Sequence, residues 1–494
     1  MSLLPLVSWG RDSGTGGIVD YRVGAARDLR VGAADSHRMR AVEGFCAGAD
    51  SEAGRLRTAL VHRPGPELRR LTPRNSRWLG FADPPWVARA QQEHDAFTDL
   101  LRDHGVEVLY LSALLADVLE YGSARAEAID SVLADPDLGT DLRASVGAHL
   151  ERLPPQDLAA VLIAGLTAAE LGGGRGLVYD LLDPQDFVIE PLPGLVFSRD
   201  ASAWIGDQAV VANLPGARRR EGALLATIYR HHPEFTGLRQ PYEAAPDQLH
   251  GGDILLLAPG VVAVGVGSQT TPAAAERLAS HLLIAEIAHT VLVVPLPRHG
   301  SPAQWAQRTS GVAELGTACT VADAGTLVMA PAMAFGLTAF TMTASRGSLA
   351  VGRPRPFLEA AARSMALDRL RVIDTGVDPA AGTTSQWDDA ANALALGRGV
   401  VVCEERNADT SARLRAAGLT VVMVPLTELG NARGGSDSNG RRGGPRCMCA
   451  PILRDPVAAM ADPGPDRANR DVPAARVRPA HEVEPEPGEL APLG

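Results

Sequence analysis

The chain of 494 residues contains no lysine: all 47 basic residues are arginines, set against 58 aspartates and glutamates for a formal charge of -11. That absence excludes Schiff-base chemistry, a pyridoxal phosphate anchored on lysine and the lysine of a P-loop. The acidic balance argues against general nucleic-acid binding, whose footprint is basic. Aromatic residues are scarce at 4%, and the five cysteines (Cys46, Cys319, Cys403, Cys447, Cys449) are too sparse, and odd in number, for a disulfide scaffold. They point to a reducing compartment. No apolar run approaches the roughly 18 residues of a membrane span, and Met1 to Gly10 lacks the charged and apolar regions of a signal peptide. A cytoplasmic protein with neither a membrane nor a nucleic-acid partner is expected.

Hydrophobic residues make up 46% of the chain, enough for one large core or two ordinary ones. Residues 1–50 mix Gly, Ala, Arg and Asp without a lasting apolar period, and residues 456–494 hold eight prolines. Both ends read as flexible extensions around a folded region of 51–455. Leu56 to His62 reads as a strand and Pro85 to Gly105 as a helix with Trp86, Ala90, Phe97 and Leu101 on one face. The helical pattern continues to about Leu171 with breaks at Pro136 and Pro154-Pro155, giving a helical insert over about 85–175.

Beyond Leu171 the texture changes to paired apolar runs around tight turns: Ala203 to Asn213, Asp253 to Gly267, Cys319 to Ala330 and Ala393 to Cys403. Each reads as a β-hairpin. A helical stretch follows each, and a third strand often closes the unit, as in Thr290 to Pro297, Leu370 to Asp374 and Leu419 to Leu426. The recurrence suggests an α/β fold of repeated strand-strand-helix-strand modules, which can close into a ring only where several copies pack around one axis; the site of such a ring would lie near its centre.

Chemistry is expected at Arg442-Gly-Gly-Pro-Arg446-Cys447-Met448-Cys449, where a glycine-rich, cationic loop delivers a cysteine. A neighbouring arginine lowers a thiol pKa from about 8.5 and favours the nucleophilic thiolate; the plain alternative is a buried, inert cysteine. A Cys-x-Cys pair without a second Cys or His pair at zinc-like spacing gives no metal site, and the adjacent His231 and His232 point apart on one element. No metal and no cofactor are expected.

Several stretches in order together resemble the arginine deiminase family of the guanidine-modifying (pentein) superfamily. They are Glu52-Ala-Gly-Arg-Leu-Arg-Thr-Ala-Leu-Val-His-Arg-Pro-Gly, Val196-Phe-Ser-Arg-Asp200, Ala217-Arg-Arg-Arg-Glu221, His231-His-Pro-Glu-Phe235, His250-Gly-Gly-Asp253, Gln386-Trp-Asp-Asp389 and Arg446-Cys-Met-Cys-Ala-Pro-Ile-Leu-Arg-Asp455. The resemblance implies five ββαβ modules in a pseudo-symmetric propeller with a helical insert. It also implies metal-free hydrolysis of the guanidinium of L-arginine to citrulline and ammonia through a thiol-linked intermediate. Its partner would be a small guanidino substrate; a homo-oligomer is left open. Carried over residue by residue, Cys447 is the nucleophile, Asp200 a guanidinium carboxylate and Arg218 a ligand of the substrate carboxylate. Arg442 is the loop arginine, with Arg433 a second candidate.

The departures are specific. His250 stands where the family has a glutamate before Gly-Gly-Asp. Ala313-Glu314-Leu315-Gly316-Thr317 stands where the family reads Met-His-Leu-Asp-Thr, so the general-base histidine is Glu314 and the next carboxylate is Gly316. Gly194 and Gln269 replace two further substrate ligands. One reading has His250 and Glu314 exchange roles and share the catalytic work with Cys447, on arginine or a related guanidino compound. The other is a degenerate scaffold that binds a guanidino ligand or a partner without turnover. Each residue also has an ordinary reading: Asp200 as a buried ion pair with Arg199, His250 as a loop histidine, Glu314 as a helix cap and Arg218 as part of a solvated arginine run.

Overall fold

Gly206, Gly260, Gly325 and Gly399 each sit at positive φ, the backbone geometry that lets a short turn reverse the chain without a Cβ clash. Around them form the four hairpins expected from the sequence. The computed structural model describes residues 18–22, 48–296, 314–345, 348–376, 391–432 and 443–457. Its first module has β1 (Leu56–Val61), α1 (Val87–Asp103) and β2 (Glu107–Tyr110). The second has β3 (Ser202–Ile205), β4 (Gln208–Val211), α2 (Arg219–His231) and β5 (Arg239–Glu243). The third has β6 (Ile254–Ala258), β7 (Val261–Val266), α3 (Pro272–Ile284) and β8 (Thr290–Pro295). The fourth has β9 (Cys319–Asp323), β10 (Thr326–Met329), α4 (Phe357–Ser364) and β11 (Arg369–Asp374), and the fifth β12 (Leu394–Gly397), β13 (Val400–Glu404), α5 (Ala408–Ala416) and β14 (Thr420–Val424). A last strand, β15 (Ala450–Arg454), pairs antiparallel with β1 and gives the first module its missing hairpin partner.

All five sheets repeat one plan, an antiparallel first pair and a parallel third strand laid beside the second after a helix. That parallel pairing needs a crossover, which the helix supplies. The sheets touch in sequence: β15 meets β3, β6 meets β9, β9 meets β12, and β12 meets β1, while the turns ahead of β3 and β6 join the second module to the third. The protein is therefore an α/β propeller of five ββαβ modules, with the two ends of the folded region paired in one sheet. No helix among the described residues is long and apolar enough to cross a membrane.

The insert lies between β2 and the second module. Its helices Leu111–Val118, Gly122–Leu133, Thr140–Leu150 and Pro155–Ala164 bury Leu115, Ile129, Leu150 and Leu162 in one core with Leu224, Leu225 and Ile228 of α2. Pro155 starts a helix, as a missing N–H permits at that position. The helix expected at Pro85 to Gly105 is α1, the first module's own, so the insert begins at Leu111 and not near residue 85. A second difference concerns the N-terminal stretch. Ile18–Arg22 forms a strand antiparallel to β11, with Ile18 and Tyr21 packed on the apolar cores beneath. Five residues are too short a run to declare an apolar period in sequence. The rest of 1–47 and residues 458–494 lie outside the described residues.

Candidate active site

Each module is preceded by a short turn, and the five lead-in turns converge. They place Asp200 before β3, His250 before β6, Glu314 before β9, Asn392 before β12 and Cys447 before β15, with every one of these residues at most 2% exposed. Asp200 Oδ2 lies 3.5 Å from His250 Nε2, and His250 Nδ1 lies 3.2 Å from Glu314 Oε2. Glu314 Oε1 in turn lies 3.7 Å from Cys447 Sγ, to which Asn392 Nδ2 donates at 3.0 Å. The sequence-predicted Asp200, His250, Glu314 and Cys447 thus meet in one buried cluster.

His250 and Glu314 are held by shared supports. The His250 N–H donates to Thr270 Oγ1 at 3.1 Å, and Thr270 donates to Asp253, whose other oxygen accepts the Leu315 N–H at 2.8 Å. Gly252 N–H donates to His250 Nδ1 at 3.1 Å and orients the ring. Burial pushes the Asp253 carboxyl up to about 7, with Glu314 adding to the rise and His250 and Thr270 opposing it. A carboxyl whose folded pKa is raised favours the folded state while protonated, so this contribution is lost as pH rises from about 4 to about 7. Asp253→Asn should therefore lose less thermal stability than the wild type between pH 5 and pH 8, measured by calorimetry.

Arg199 does not pair with Asp200, as the ordinary reading had it. Arg199 Nη2 and Arg446 Nη2 share Glu52 Oε1 at 2.8 and 3.0 Å, and both also donate to the Ile254 carbonyl oxygen at 2.9 and 3.1 Å. Because Arg199 precedes Asp200 and Arg446 precedes Cys447, the buried Glu52 locks two lead-in turns together. Burial alone would raise the Glu52 pKa, but Arg446 and Arg199 hold it below its ordinary value. Burial pushes the Cys449 and Cys403 thiols up to about 12, as befits inert core cysteines.

Arg218 is anchored by Glu221, Nε to Oε1 at 3.0 Å and Nη2 to Oε2 at 3.0 Å, and its Nη2 reaches Asp200 Oδ2 at 3.1 Å. The two glycine departures mark where these arginines go. A Cβ on Gly194 would stand 2.4 Å from Glu221 Oε1 and 2.7 Å from Arg218 Nε, and one on Gly316 would stand 1.9 Å from Arg446 Nη1. Gln269 lies half-buried after β7. His231 faces outward onto Glu127 at 2.9 Å. Arg442, Arg433 and the Gln386-Trp-Asp-Asp389 stretch lie outside the described residues.

Donor atoms of Asp200, His250 and Glu314 fall within 4.8 Å of one another, a spacing that invites a metal reading. The imidazole, however, lies between the carboxylates with a different ring nitrogen toward each. With Nδ1 accepting the Gly252 N–H, the proton of the neutral ring sits on Nε2, toward Asp200, and the Nδ1–Glu314 approach is a close contact, not a proton-bearing hydrogen bond. Sequence reasoning gave no role to Asn392, to Glu52 as the anchor of Arg199 and Arg446, or to the Asp253–Thr270 support. The signal for Asn392 was its place just before a predicted hairpin, the position that the other modules use.

A buried thiol, an imidazole and two carboxylates gathered at the hub of a five-module α/β ring define a candidate site for chemistry on a cationic amidine or guanidine. The family model described as arginine deiminase matches residues 77–454. The curated arginine deiminases of Mycobacterium marinum (strain ATCC BAA-535 / M) and Rhodococcus opacus (strain B4) are each 48% identical over 415 residues, covering 83% of this chain and 98% of theirs. The chain belongs to the arginine deiminase family. Among solved structures, a DDAH from Pseudomonas aeruginosa complexed with citrulline aligns at 14% identity and a TM-score of 0.42, covering 80% of this chain and 99% of that one. An amidinotransferase from Microseira wollei aligns at 12% identity and a TM-score of 0.46, covering 84% and 99%.

Proposed function

We propose that the protein hydrolyses the guanidinium of L-arginine to citrulline and ammonia through a Cys447-linked intermediate. The observation that carries this reading is the gathering of Asp200, His250 and Glu314 within 3.5 Å of their neighbours and, through Glu314, 3.7 Å from the Cys447 sulfur. A guanidinium is a delocalised cation with five N–H donors, so carboxylates are its natural partners. Asp200 and Glu314 supply two, and Glu314 also adjoins the sulfur.

In the proposed sequence the Cys447 thiolate attacks the central guanidinium carbon, forming a C–S bond. A proton carried by His250 reaches the terminal nitrogen, the C–N bond breaks and ammonia leaves. Water then adds to the thiouronium carbon while His250 takes its proton. The C–S bond breaks and citrulline and the thiolate are released. Moving these protons by a positioned group contributes roughly 10² to 10⁴ in rate. His250 and Glu314 exchange identities relative to the family, yet each retains a group able to take and return a proton. A substrate guanidinium at Asp200 meets Arg218 already there, so Arg218 turns toward the substrate carboxylate, the role that the resemblance assigns it. The same reading keeps a small guanidino molecule as the ligand and the cytoplasm as the compartment that holds the cysteines reduced.

The test is release of citrulline and ammonia from L-arginine by the purified chain, beside a panel of other guanidino compounds. Equal yields of the two products from arginine are expected. Turnover of another guanidine with arginine inert would reassign the substrate, and no turnover of any would leave a binding scaffold.

A further inference from the structure

Four of the five lead-in turns deliver a residue with an evident part in the proposed chemistry, and the fifth delivers Asn392. We infer that Asn392 contacts the substrate: its amide nitrogen holds the Cys447 sulfur while its amide oxygen receives an N–H of the guanidinium under attack. The inference rests on the arginine hydrolysis proposed above and adds a residue to it.

Asn392 Nδ2 stands 3.0 Å from Cys447 Sγ. Turning the amide over would face its oxygen to the sulfur and repel a thiolate, so the donor orientation is the one compatible with an anionic nucleophile. The opposite end of the amide is the second observation. Asn392 Oδ1 is buried and has no hydrogen-bond partner among the described residues, a state it shares in this site with His250 Nε2 and Arg446 Nη1, and it is the one acceptor of these three whose own residue touches the sulfur. The side chain has no room to swing away. A Cβ on Gly444 would stand 2.6 Å from Asn392 Cγ and 2.7 Å from Oδ1, so the amide packs against the backbone of the turn that carries the nucleophile.

Substrate demand matches this supply. Family resemblance implies three carboxylates around the guanidinium, whereas this chain places His250 and Gly316 at two of those positions. Glu314 restores one carboxylate beside the sulfur. A guanidinium with five N–H donors still needs acceptors, and an orphan amide oxygen on the residue that touches Sγ is one.

The test compares the full chain with Asn392→Asp, Asn392→Ala and, should either fold poorly, Asn392→Ser. Two quantities are read: the pH dependence of Cys447 alkylation by iodoacetamide, with Cys447→Ala as background, and kcat and KM for L-arginine. Asn392→Asp sets a carboxylate against the sulfur and keeps an oxygen for the guanidinium. Its alkylation midpoint should rise by about one pH unit or more, with KM within about threefold of wild type. Asn392→Ala loses both contacts, so its midpoint should rise and its KM increase about tenfold or more. An unchanged alkylation midpoint in the folded variants overturns the inference, whether or not arginine is turned over. A shifted midpoint with unchanged KM in Asn392→Ala also overturns it, by reducing Asn392 to a positioning residue. Failure of the wild type to release citrulline refutes the arginine reading by its own assay.

Discussion

Citrulline release falls to the background rate in Cys447→Ala, a loss on the order of 10⁴-fold or more, while the unfolding midpoint changes little. The asymmetry follows from where the sulfur sits. Cys447 closes the last lead-in turn, held from one side by Asn392 and faced from the other by Glu314. It is the only cysteine among the described residues placed against both a hydrogen-bond donor and a carboxylate. Removing Sγ leaves Asp200, His250 and Glu314 in place but gives them nothing to deprotonate or to displace. Alanine leaves a small gap beside Met448 and Cys449 in a core that also holds Leu56, Phe97 and Phe197, so the fold persists. Cys449→Ala is the matching control. Its thiol is pushed up to about 12 by burial, with Arg454 and Arg199 opposing the rise. Citrulline release by Cys449→Ala should stay within a fewfold of wild type.

The largest stability effect is expected from Glu52→Gln. This carboxylate is the shared anion of two fully buried guanidiniums, and its loss leaves Arg199 and Arg446 as uncompensated charges in the interior. Breaking a buried pair in this way costs about 3 to 5 kcal/mol, against less than about 1 kcal/mol for an exposed one. Asp95→Asn, which breaks the solvent-facing Arg63–Asp95 pair, supplies that comparison. Chemical denaturation of the two variants should therefore separate widely. Activity should fall with Glu52→Gln as well, because Arg199 and Arg446 adjoin Asp200 and Cys447 in the chain. The pH dependence has a definite sign. The Glu52 pKa is depressed on folding, so its contribution holds above the ordinary glutamate value of 4.5 and is lost as pH falls below it.

How much of this was legible in the sequence depends on which physics each feature obeys. The hairpins were legible because a glycine at positive φ between two apolar runs is a local signature, and Gly206, Gly260, Gly325 and Gly399 all carry it. Asp200, His250, Glu314 and Cys447 were legible because their motifs stand in a recognisable order along the chain. Ring closure through β15 and β1 was not, since that pairing joins residues almost 400 positions apart and no local pattern announces it. Glu52 heads one of the family motifs, but its partners do not follow from that motif, because only the fold brings Arg199 and Arg446 onto it. The Arg218 contact with Asp200 is not legible in sequence, because the room left by Gly194 is a property of packing. Asn392 precedes a predicted hairpin as Asp200, His250 and Glu314 precede theirs, a signal that shows only when the five modules are aligned on their first strands.

The central claim is that a thiol delivered to the hub of this ring breaks a guanidinium C–N bond through a covalent intermediate. Intact-mass analysis of the protein mixed with L-arginine and quenched in acid within a turnover tests it most directly. The account predicts a transient species heavier by one arginine less one ammonia, located on Cys447 by peptide mapping and absent from Cys447→Ala. Citrulline formed without any such adduct, or an adduct on another residue, would contradict it.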